Sequence, residues 1–411
     1  MRKEKALLIS PYPFYPPDGG GKIRIYNNVK SLSKLYDLHI LIPTPSSNRD
    51  IKGLKFLSKS YNIYSINIKH FLDSFPLTKN FYFLLRSIFA KYPISGIYEF
   101  YSNPQVIKLI KSDFSFIQLE HSWWYHSILK KRKGKLIIIE HNYEYEYWKE
   151  LGRSLLKQKK YVTGLKYIIG SLKILQQEQE ALKDADLILT VSERETNILK
   201  KFALKGNIYT VPSGIDTTLY TNYSLDVKRQ DDYIYLIYVG SLNTPQTAEG
   251  AIFFIKEIWP LLKQSPFKYK LYLVGRDPVR ELEKLASEDQ NIILTGFVED
   301  VRLYIAKSHI YIVPLRYGSG IRLKIMEAMA MGKPIVSTKK GAEGLNLHNC
   351  GLIIADRPDD FAKAIVKLSK DDNLREKFGR INIKYAQEHF DWENIFVKKA
   401  LPLYQRIIAY E

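Results

Sequence analysis

Short apolar runs rich in isoleucine, leucine and valine alternate with amphipathic segments along the chain. Such runs are typical of strands buried on both faces of a parallel sheet, whereas the amphipathic segments predict covering helices. The pattern predicts strands at 6–10, 38–42, 116–120, 136–140 and 187–191 in the first half, and at 235–239, 270–274, 292–295, 310–314, 334–337 and 351–354 in the second. It predicts helices at 26–34, 248–262, 278–287, 321–331 and 358–369.

A turn-rich and then polar segment, 207–232, separates the two sets of strands. Alternating strands and helices indicate parallel βαβ units, and a chain of 411 residues is long enough for two domains. We predict an α/β fold of two Rossmann-like, doubly wound domains facing across a cleft, one over 1–205 and the other over 206–386. The aromatic and basic segment 71–101 fits either an excursion toward an acceptor or a membrane, or helices that cover the first sheet.

The net charge of +19 favours anionic partners, although excess lysine also serves solubility. The stretch 149–173 concentrates cations among aromatic and aliphatic residues, which fits a helix on an anionic membrane surface or a solvated helix face. Nucleic-acid binding would rest on charge alone and is not expected. The single cysteine, Cys350, excludes an intrachain disulfide framework. Because no apolar run approaches the ~20 residues of a spanning helix, we expect a cytoplasmic protein, free or peripheral on the inner membrane face.

Candidate binding groups follow the predicted strands of the first domain. A loop containing Gly19, Gly20 and Gly21 comes between the first strand and the first helix, with Lys22 and Arg24 directly after it. Clustered glycines let backbone amides approach an anion closely. A plain tight turn explains the same glycines.

Histidines follow two of these strands, each directly after a glutamate: His121 after Glu120, and His141 after Glu140. Since the carboxyl ends of parallel strands meet at one edge of a sheet, both pairs are expected near the cleft. An imidazole there can hydrogen-bond a hydroxyl or move a proton. A structural role is the alternative for each.

In the second domain, Gly318, Ser319 and Gly320 form a loop ahead of a helix whose amino terminus suits a phosphate. Arg322 and Lys324 lie in the first turn of that helix, where cations oppose the helix dipole. This unfavourable placement suggests an anionic ligand.

Glu327 stands among apolar and small residues of the same helix. A carboxylate in such a setting destabilises the fold unless it has a partner, and adjacent ribose hydroxyls would be suitable partners. With phosphates at the amides and cations, the segment suits a sugar nucleotide. A surface carboxylate is the alternative.

The motifs taken in order resemble family 4 of the retaining glycosyltransferases, which have the GT-B fold, over nearly the whole chain. The matching segments are the glycine loop (19–21), VPSGID (211–216), YVGSL (238–242), LVGR (273–276), LTGFVEDVRLYIAKSHIYIVP (294–314) and EAMAMGKPIVST (327–338). The resemblance implies that a C-terminal helix, 387–411, crosses back to complete the first domain. It also implies transfer of a sugar from a nucleotide diphospho-sugar to an acceptor hydroxyl with retention of configuration, without a cofactor or an essential metal.

The resemblance assigns Glu327 to the ribose, the loop around Gly320 to the diphosphate, and His121 to the neighbourhood of the transferred sugar. The candidate catalytic residues are His121, Glu120, Arg322 and Lys324. The candidate substrate-binding residues are Gly20, Gly21, Arg24, His141, Ser319, Gly320, Ile321, Leu323, Glu327, Arg276 and Val298.

Two positions depart from the family pattern. Ser319 stands where the family carries a glutamate that contacts the transferred sugar, so the sugar is not defined. Ser241 stands where an arginine for the diphosphate is usual, and we expect Arg322 and Lys324 to supply that charge. Asp184 and Asp186 have the spacing of a metal-binding Asp-x-Asp pair, but they precede a strand, so we interpret them as a helix-to-strand turn.

The predicted function is glycosyl transfer to a glycan or lipid-linked acceptor, in polysaccharide or envelope glycan synthesis. One alternative is a catalytically degenerate GT-B protein that binds nucleotide or acts as a scaffold. The other is a GT-B sugar-nucleotide epimerase.

Overall fold

The computed structural model describes residues 3–17, 19–45, 47–68, 95–157, 159–203, 205–221, 223, 232–318, 322–345, 347 and 349–409. Most of the segment 71–101, and the candidate site residues Ser319, Gly320 and Ile321, lie outside these ranges. The chain divides into two compact units, which we call the N-terminal unit (Met1–Pro212 with Phe396–Glu411) and the C-terminal unit (Ser213–Ile395).

The N-terminal unit is built on one parallel sheet. Its strands are β1 (Lys5–Ile9), β2 (Asp37–Pro43), β3 (Asn62–Ile66), β4 (Phe116–Glu120), β5 (Lys135–Glu140), β6 (Leu187–Thr190) and β7 (Ile208–Thr210). They follow the order β3-β2-β1-β4-β5-β6-β7. The chain winds outward in opposite directions from β1 and β4, so the loops after these two strands border the crevice where α/β proteins bind ligands.

Helices connect these strands. They are α1 (Gly20–Leu35), α2 (Asn48–Leu57), α3 (Ser95–Ser102), α4 (Pro104–Ile110), α5 (Glu144–Lys157), α6 (Tyr161–Asp184) and α7 (Glu193–Leu199), with short 3-10 turns at Ser122–Trp124 and Ser127–Lys131. Helix α1 begins earlier than the predicted residue 26, so Gly20 and Gly21 form its first turn and the predicted glycine loop is shorter than expected. Among the described residues, no helix has both the length and the apolar composition needed to span a bilayer.

The C-terminal unit has a second parallel sheet. Its strands are β8 (Tyr233–Val239), β9 (Lys268–Val274), β10 (Ile292–Gly296), β11 (Ile310–Val313), β12 (Ile335–Ser337) and β13 (Leu352–Ile354), in the order β10-β9-β8-β11-β12-β13. Its helices are α8 (Thr218–Thr221), α9 (Pro245–Phe253), α10 (Trp259–Lys263), α11 (Arg280–Ser287), α12 (Val301–Lys307), α13 (Leu323–Ala330), α14 (Pro358–Lys370), α15 (Asp372–His389) and α16 (Trp392–Ile395). Here the winding direction reverses between β8 and β11.

Every predicted strand coincides with an observed one, and the structure adds β3 and β7, which the apolar pattern missed. Strand β3 is half-polar at a sheet edge, and β7 is short and lies inside the turn-rich segment that we predicted to be a linker. Because β7 pairs with β6 through Ile188 and Ile208, the division falls after Pro212 rather than after residue 205.

The end of the chain returns to the N-terminal unit. A π-helical turn, Phe396–Ala400, leads into α17 (Leu401–Ala409). The buried Tyr404 hydroxyl donates a hydrogen bond to Gln118 Oε1 at 2.6 Å, and its ring packs against Phe116. The prediction that the C-terminal helix completes the first domain is confirmed, with the division at Ile395 and Phe396 rather than after residue 386.

We expect Tyr404→Phe to destabilise the N-terminal unit by about 1–3 kcal/mol, because the buried Gln118 oxygen loses its donor. Denaturant unfolding followed by circular dichroism measures the change. Tyr147→Phe is the matched control, since the Tyr147 side chain is 53% exposed. Equal midpoints for the two variants would show that the Tyr404 hydrogen bond does not hold α17 in place.

Candidate functional site

The predicted groups of the N-terminal unit meet where β1, β4 and β5 end. A Cβ built on Gly21 would lie 2.7 Å from Tyr12 Oη and 3.6 Å from His141 Nδ1. The missing side chain therefore lets the first turn of α1 approach the segments that follow β1 and β5. The structure thus brings Gly21, His141 and His121 together, as the sequence predicted for this edge.

Glu120 is fully buried at the end of β4. Its Oε1 accepts a hydrogen bond from Gln118 Nε2 at 2.6 Å, and its Oε2 lies 2.7 Å from His141 Nε2. Burial raises the pKa of Glu120, while Gln118 and the positive charge of Arg24 act in the opposite direction. This carboxyl group therefore orients His141 from inside the unit.

Arg24, predicted to bind substrate, is 2% exposed on α1. Burial lowers its pKa to about 10, and the charge of Glu120 limits that decrease. Arg24 thus balances the buried carboxyl group of Glu120. Its assignment to substrate stays a prediction.

The backbone of His121 has a φ of 72°. This value lies in the left-handed region, which residues other than glycine rarely adopt. Its N–H donates to the carbonyl of Ile139 at 2.9 Å, which holds the residue against β5. Its Nε2 lies 2.9 Å from Tyr12 Oη, and its Nδ1 lies 3.7 Å from Glu144 Oε1. Nε2 is therefore within hydrogen-bond distance of Tyr12, whereas the buried Nδ1 has no hydrogen-bond partner among the described residues.

The two histidine rings stack with centroids 4.2 Å apart. Burial, followed by the neighbouring His141, lowers the pKa of His121 well below its usual value. Burial also lowers the pKa of His141 to about 3. These shifts favour the neutral form of both rings, in which one nitrogen donates a hydrogen bond and the other can accept one.

A group of buried acids lies beside His121. Glu140 Oε1 accepts from the Ser122 N–H at 3.2 Å, and Glu178 accepts from the Glu144 N–H at 3.0 Å. Burial raises the pKa of Glu140 to about 8 and that of Glu144 to about 7, and burial with the two neighbouring acids raises that of Glu178 well above its usual value. These acids therefore hold protons at pH values where an exposed glutamate has lost them.

Sequence reasoning missed Tyr12, Glu144 and Glu178. Tyr12 follows β1 as His121 follows β4, so its position after a strand was a usable signal. Glu178 is 1% exposed within the long helix α6, and nothing in its local sequence distinguishes it from a surface glutamate.

In the C-terminal unit, Glu327 is 1% exposed on α13. Lys324 Nζ lies 2.9 Å from its Oε2 and 3.2 Å from its Oε1, and the hydroxyl of Tyr220 also bonds to it. The partner that a buried acid requires is thus supplied inside the unit. Burial, followed by the charge of the same carboxylate, raises the pKa of Tyr311 well above its usual value.

Arg322 directly precedes α13 and lies close to the start of α9. A Cβ on Gly318 would be 3.4 Å from Arg322 Nη2 and 3.2 Å from Gln246. Burial lowers the pKa of Arg322, opposed by Tyr238 on β8. The guanidinium is thus close to the segment after β8 in which Ser241 replaces an expected arginine.

The remaining candidates lie at the same edge of this sheet. Arg276 is exposed after β9, and Val298 is half-buried after β10. A Cβ on Gly275 would be only 1.7 Å from the carbonyl oxygen of Gly240, so the segments after β8 and β9 touch through a glycine. Leu323 is buried in the first turn of α13.

The two aspartates of the Asp-x-Asp pair form ion pairs within the N-terminal unit. Arg132 bonds to Asp184 at 2.8 Å and to Asp186 at 3.1 Å, where α6 ends and β6 begins. The prediction of a helix-to-strand turn is confirmed. Within the described ranges, no group of three or more His, Cys, Asp or Glu side chains is arranged to hold a metal ion.

Residues 234–371, from β8 to α14, match the family model described as glycosyl transferases group 1. The match covers about a third of the chain and lies within the C-terminal unit. The Methanocaldococcus jannaschii protein named uncharacterized glycosyltransferase MJ1069 is 25% identical over 99% of this chain and 100% of its own length. A Klebsiella pneumoniae protein named uncharacterized 44.6 kDa protein in cps region is 25% identical over 95% of this chain and 98% of its own.

Among solved structures, Anabaena HepE in complex with UDP and glucose is similar with a TM-score of 0.66 at 15% identity, covering 97% of this chain and 99% of that one. The likeness extends over both units, and the fold is GT-B as the sequence predicted. The group 1 domain and the named relatives support glycosyl transfer as the class of activity.

We expect Glu140→Gln to flatten the pH dependence of stability. A raised folded-state pKa means that the folded protein keeps a proton that the unfolded chain has lost. Deprotonation of Glu140 is therefore harder in the folded protein, and the free energy of unfolding falls as pH rises from 4.5 to about 8. Melting temperatures at about pH 5 and about pH 8 should show a gain for the variant mainly at the higher pH. Glu150→Gln, at an exposed site, is the control, and equal slopes in all three proteins would contradict the assignment.

Proposed function

We propose that this protein transfers a sugar from a nucleotide diphospho-sugar to an acceptor hydroxyl with retention of configuration, in polysaccharide or envelope glycan synthesis. Glu327 is the observation that carries the proposal: a carboxylate 1% exposed, next to the ligand-binding edge of a doubly wound sheet, inside the group 1 domain. We assign it to the ribose hydroxyls, with Tyr220 and Lys324 fixing its orientation.

The diphosphate is assigned to the start of α13, where Arg322 adds charge to the helix amides. Bond cleavage at the anomeric carbon leaves the electron pair on the departing diphosphate oxygen. Cations and amides already in position stabilise that charge as it develops. The acceptor oxygen then bonds to the anomeric carbon on the same face, and its proton passes to the departing diphosphate.

The transferred sugar and acceptor hydroxyl are assigned to the N-terminal unit, near His121. Its neutral ring, with Tyr12 at Nε2 and Glu144 near Nδ1, has a defined orientation. A neutral imidazole in a fixed orientation can hydrogen-bond a sugar hydroxyl. We assign the neighbouring glutamates and His141 to holding the His121 ring in this orientation.

UDP-glucose is the first donor to test, because HepE has been solved with UDP and glucose. Ser319 replaces the family's sugar-contacting glutamate, so UDP-, GDP-, ADP- and TDP-sugars all belong in the first thermal-shift screen.

Glu327→Gln should weaken binding of the stabilising sugar nucleotide by about tenfold to a hundredfold, because a charged acceptor of ribose hydrogen bonds becomes a neutral amide. Isothermal titration calorimetry measures this change. Glu281→Gln is the control, since Glu281 is an exposed acid paired with Lys256 in the same unit. Unchanged affinity in a folded Glu327→Gln protein would remove the ribose assignment. An inert wild type with every donor would favour the degenerate scaffold.

Arg322→Met with Lys324→Met tests the diphosphate assignment. We expect turnover of the donor to fall by at least about a hundredfold, since transition-state charge loses its preorganised partners. Arg357→Met with Lys363→Met, which neutralises an arginine and a lysine near the start of α14, controls for net charge. Donor turnover and affinity that match the control would contradict the assignment.

A further inference from the structure

Helix α6 carries an apolar surface that faces solvent. Tyr161, Val162, Leu165 and Leu172 are 63%, 54%, 43% and 58% exposed, and we call these residues the α6 stripe. At about 100° per residue they lie within a sector of roughly 100°, and at 1.5 Å per residue they extend over about 16 Å. The stripe is therefore one continuous face of the helix.

Packing on the opposite side fixes the orientation of this face. A Cβ on Gly164 would lie 2.8 Å from the carbonyl oxygen of Gly152 on α5, so the two helices approach closely through glycines. Ile174 and Glu178 are buried farther along α6. Since these contacts set the rotation of the helix, the stripe is held outward.

Positive charge accompanies the stripe. Lys159 and Lys160 are exposed directly before the helix, and Lys166 and Lys173 follow one border of the stripe at helical spacing. Between Tyr161 and Gln177 the sequence has no acidic residue. An exposed apolar face with cations along its edge is the pattern of a helix that lies in a lipid interface.

We propose that the α6 stripe binds the surface of an anionic lipid bilayer. The apolar side chains would enter the boundary between headgroups and acyl chains, while the lysines extend to lipid phosphates. Charge argues against a second copy of this chain as the occupant, because two such faces would bring lysines against lysines. The proposal does not depend on the assignment of donor or acceptor.

Flotation of the full chain with vesicles tests the proposal. Wild type should bind vesicles of phosphatidylcholine with about a third phosphatidylglycerol, and binding should weaken with salt and be nearly absent on pure phosphatidylcholine. Leu165→Glu with Leu172→Glu should lower the partition coefficient by at least about tenfold, since two apolar anchors become anions. Lys166→Glu with Lys173→Glu should do the same on anionic vesicles.

Matched controls locate the surface. Val397→Glu is the control for the apolar change, since Val397 is another half-exposed apolar residue of the N-terminal unit. Lys108→Glu with Lys111→Glu is the control for charge reversal, at two exposed lysines on and directly after α4. Both control proteins should bind vesicles like wild type. Equal loss in controls and stripe variants would overturn the location. Absent binding to anionic vesicles, or dimers in sedimentation that the stripe variants abolish, would overturn the proposal. Donor turnover in solution should be unchanged in the stripe variants, which separates this result from a failed glycosyl-transfer assignment.

Discussion

The fully buried carboxyl group of Glu120 is the constraint around which the N-terminal unit is organised. An ionisable group at the end of a central strand destabilises the fold unless hydrogen bonds or charge compensate it. Compensation comes from Gln118 on the same strand, His141 beyond β5 and Arg24 on α1. Tyr404 then bonds to Gln118, so docking of the last helix depends on the same network.

The two units treat buried acids differently. In the N-terminal unit, Glu140, Glu144 and Glu178 lie together, and burial favours the protonated form of each. Repulsion from neighbouring acids adds to this effect at Glu140 and Glu178. In the C-terminal unit, Glu327 is paired with Lys324. The first arrangement provides neutral hydrogen-bonding groups around His121, whereas the second keeps a paired carboxylate beside the start of a helix.

Much of the fold could be predicted because buried parallel strands are nearly continuous apolar runs. Strand β4 matches the predicted 116–120, and the carboxyl ends of β4 and β5 bring His121 and His141 together as expected. Strand β7 was missed because it is short and lies among turn formers. The glycine segment was interpreted as a loop, yet Gly20 begins α1. The glycine at position 21 is required by a tertiary contact, since a side chain there would meet Tyr12.

The sequence by itself determined the alternation of strands and helices, the position of Glu327 in an apolar helix, and the chemistry available at the strand ends. Only the tertiary structure decided which of those groups meet. Tyr12, His121 and Glu144 come from three separate segments, and Tyr220 reaches Glu327 from a different helix. Contacts between distant segments depend on the sheet order and on the rotation of each helix, which local patterns do not encode. The same rotation turns the apolar residues of α6 outward, although their spacing alone fits a buried face equally well.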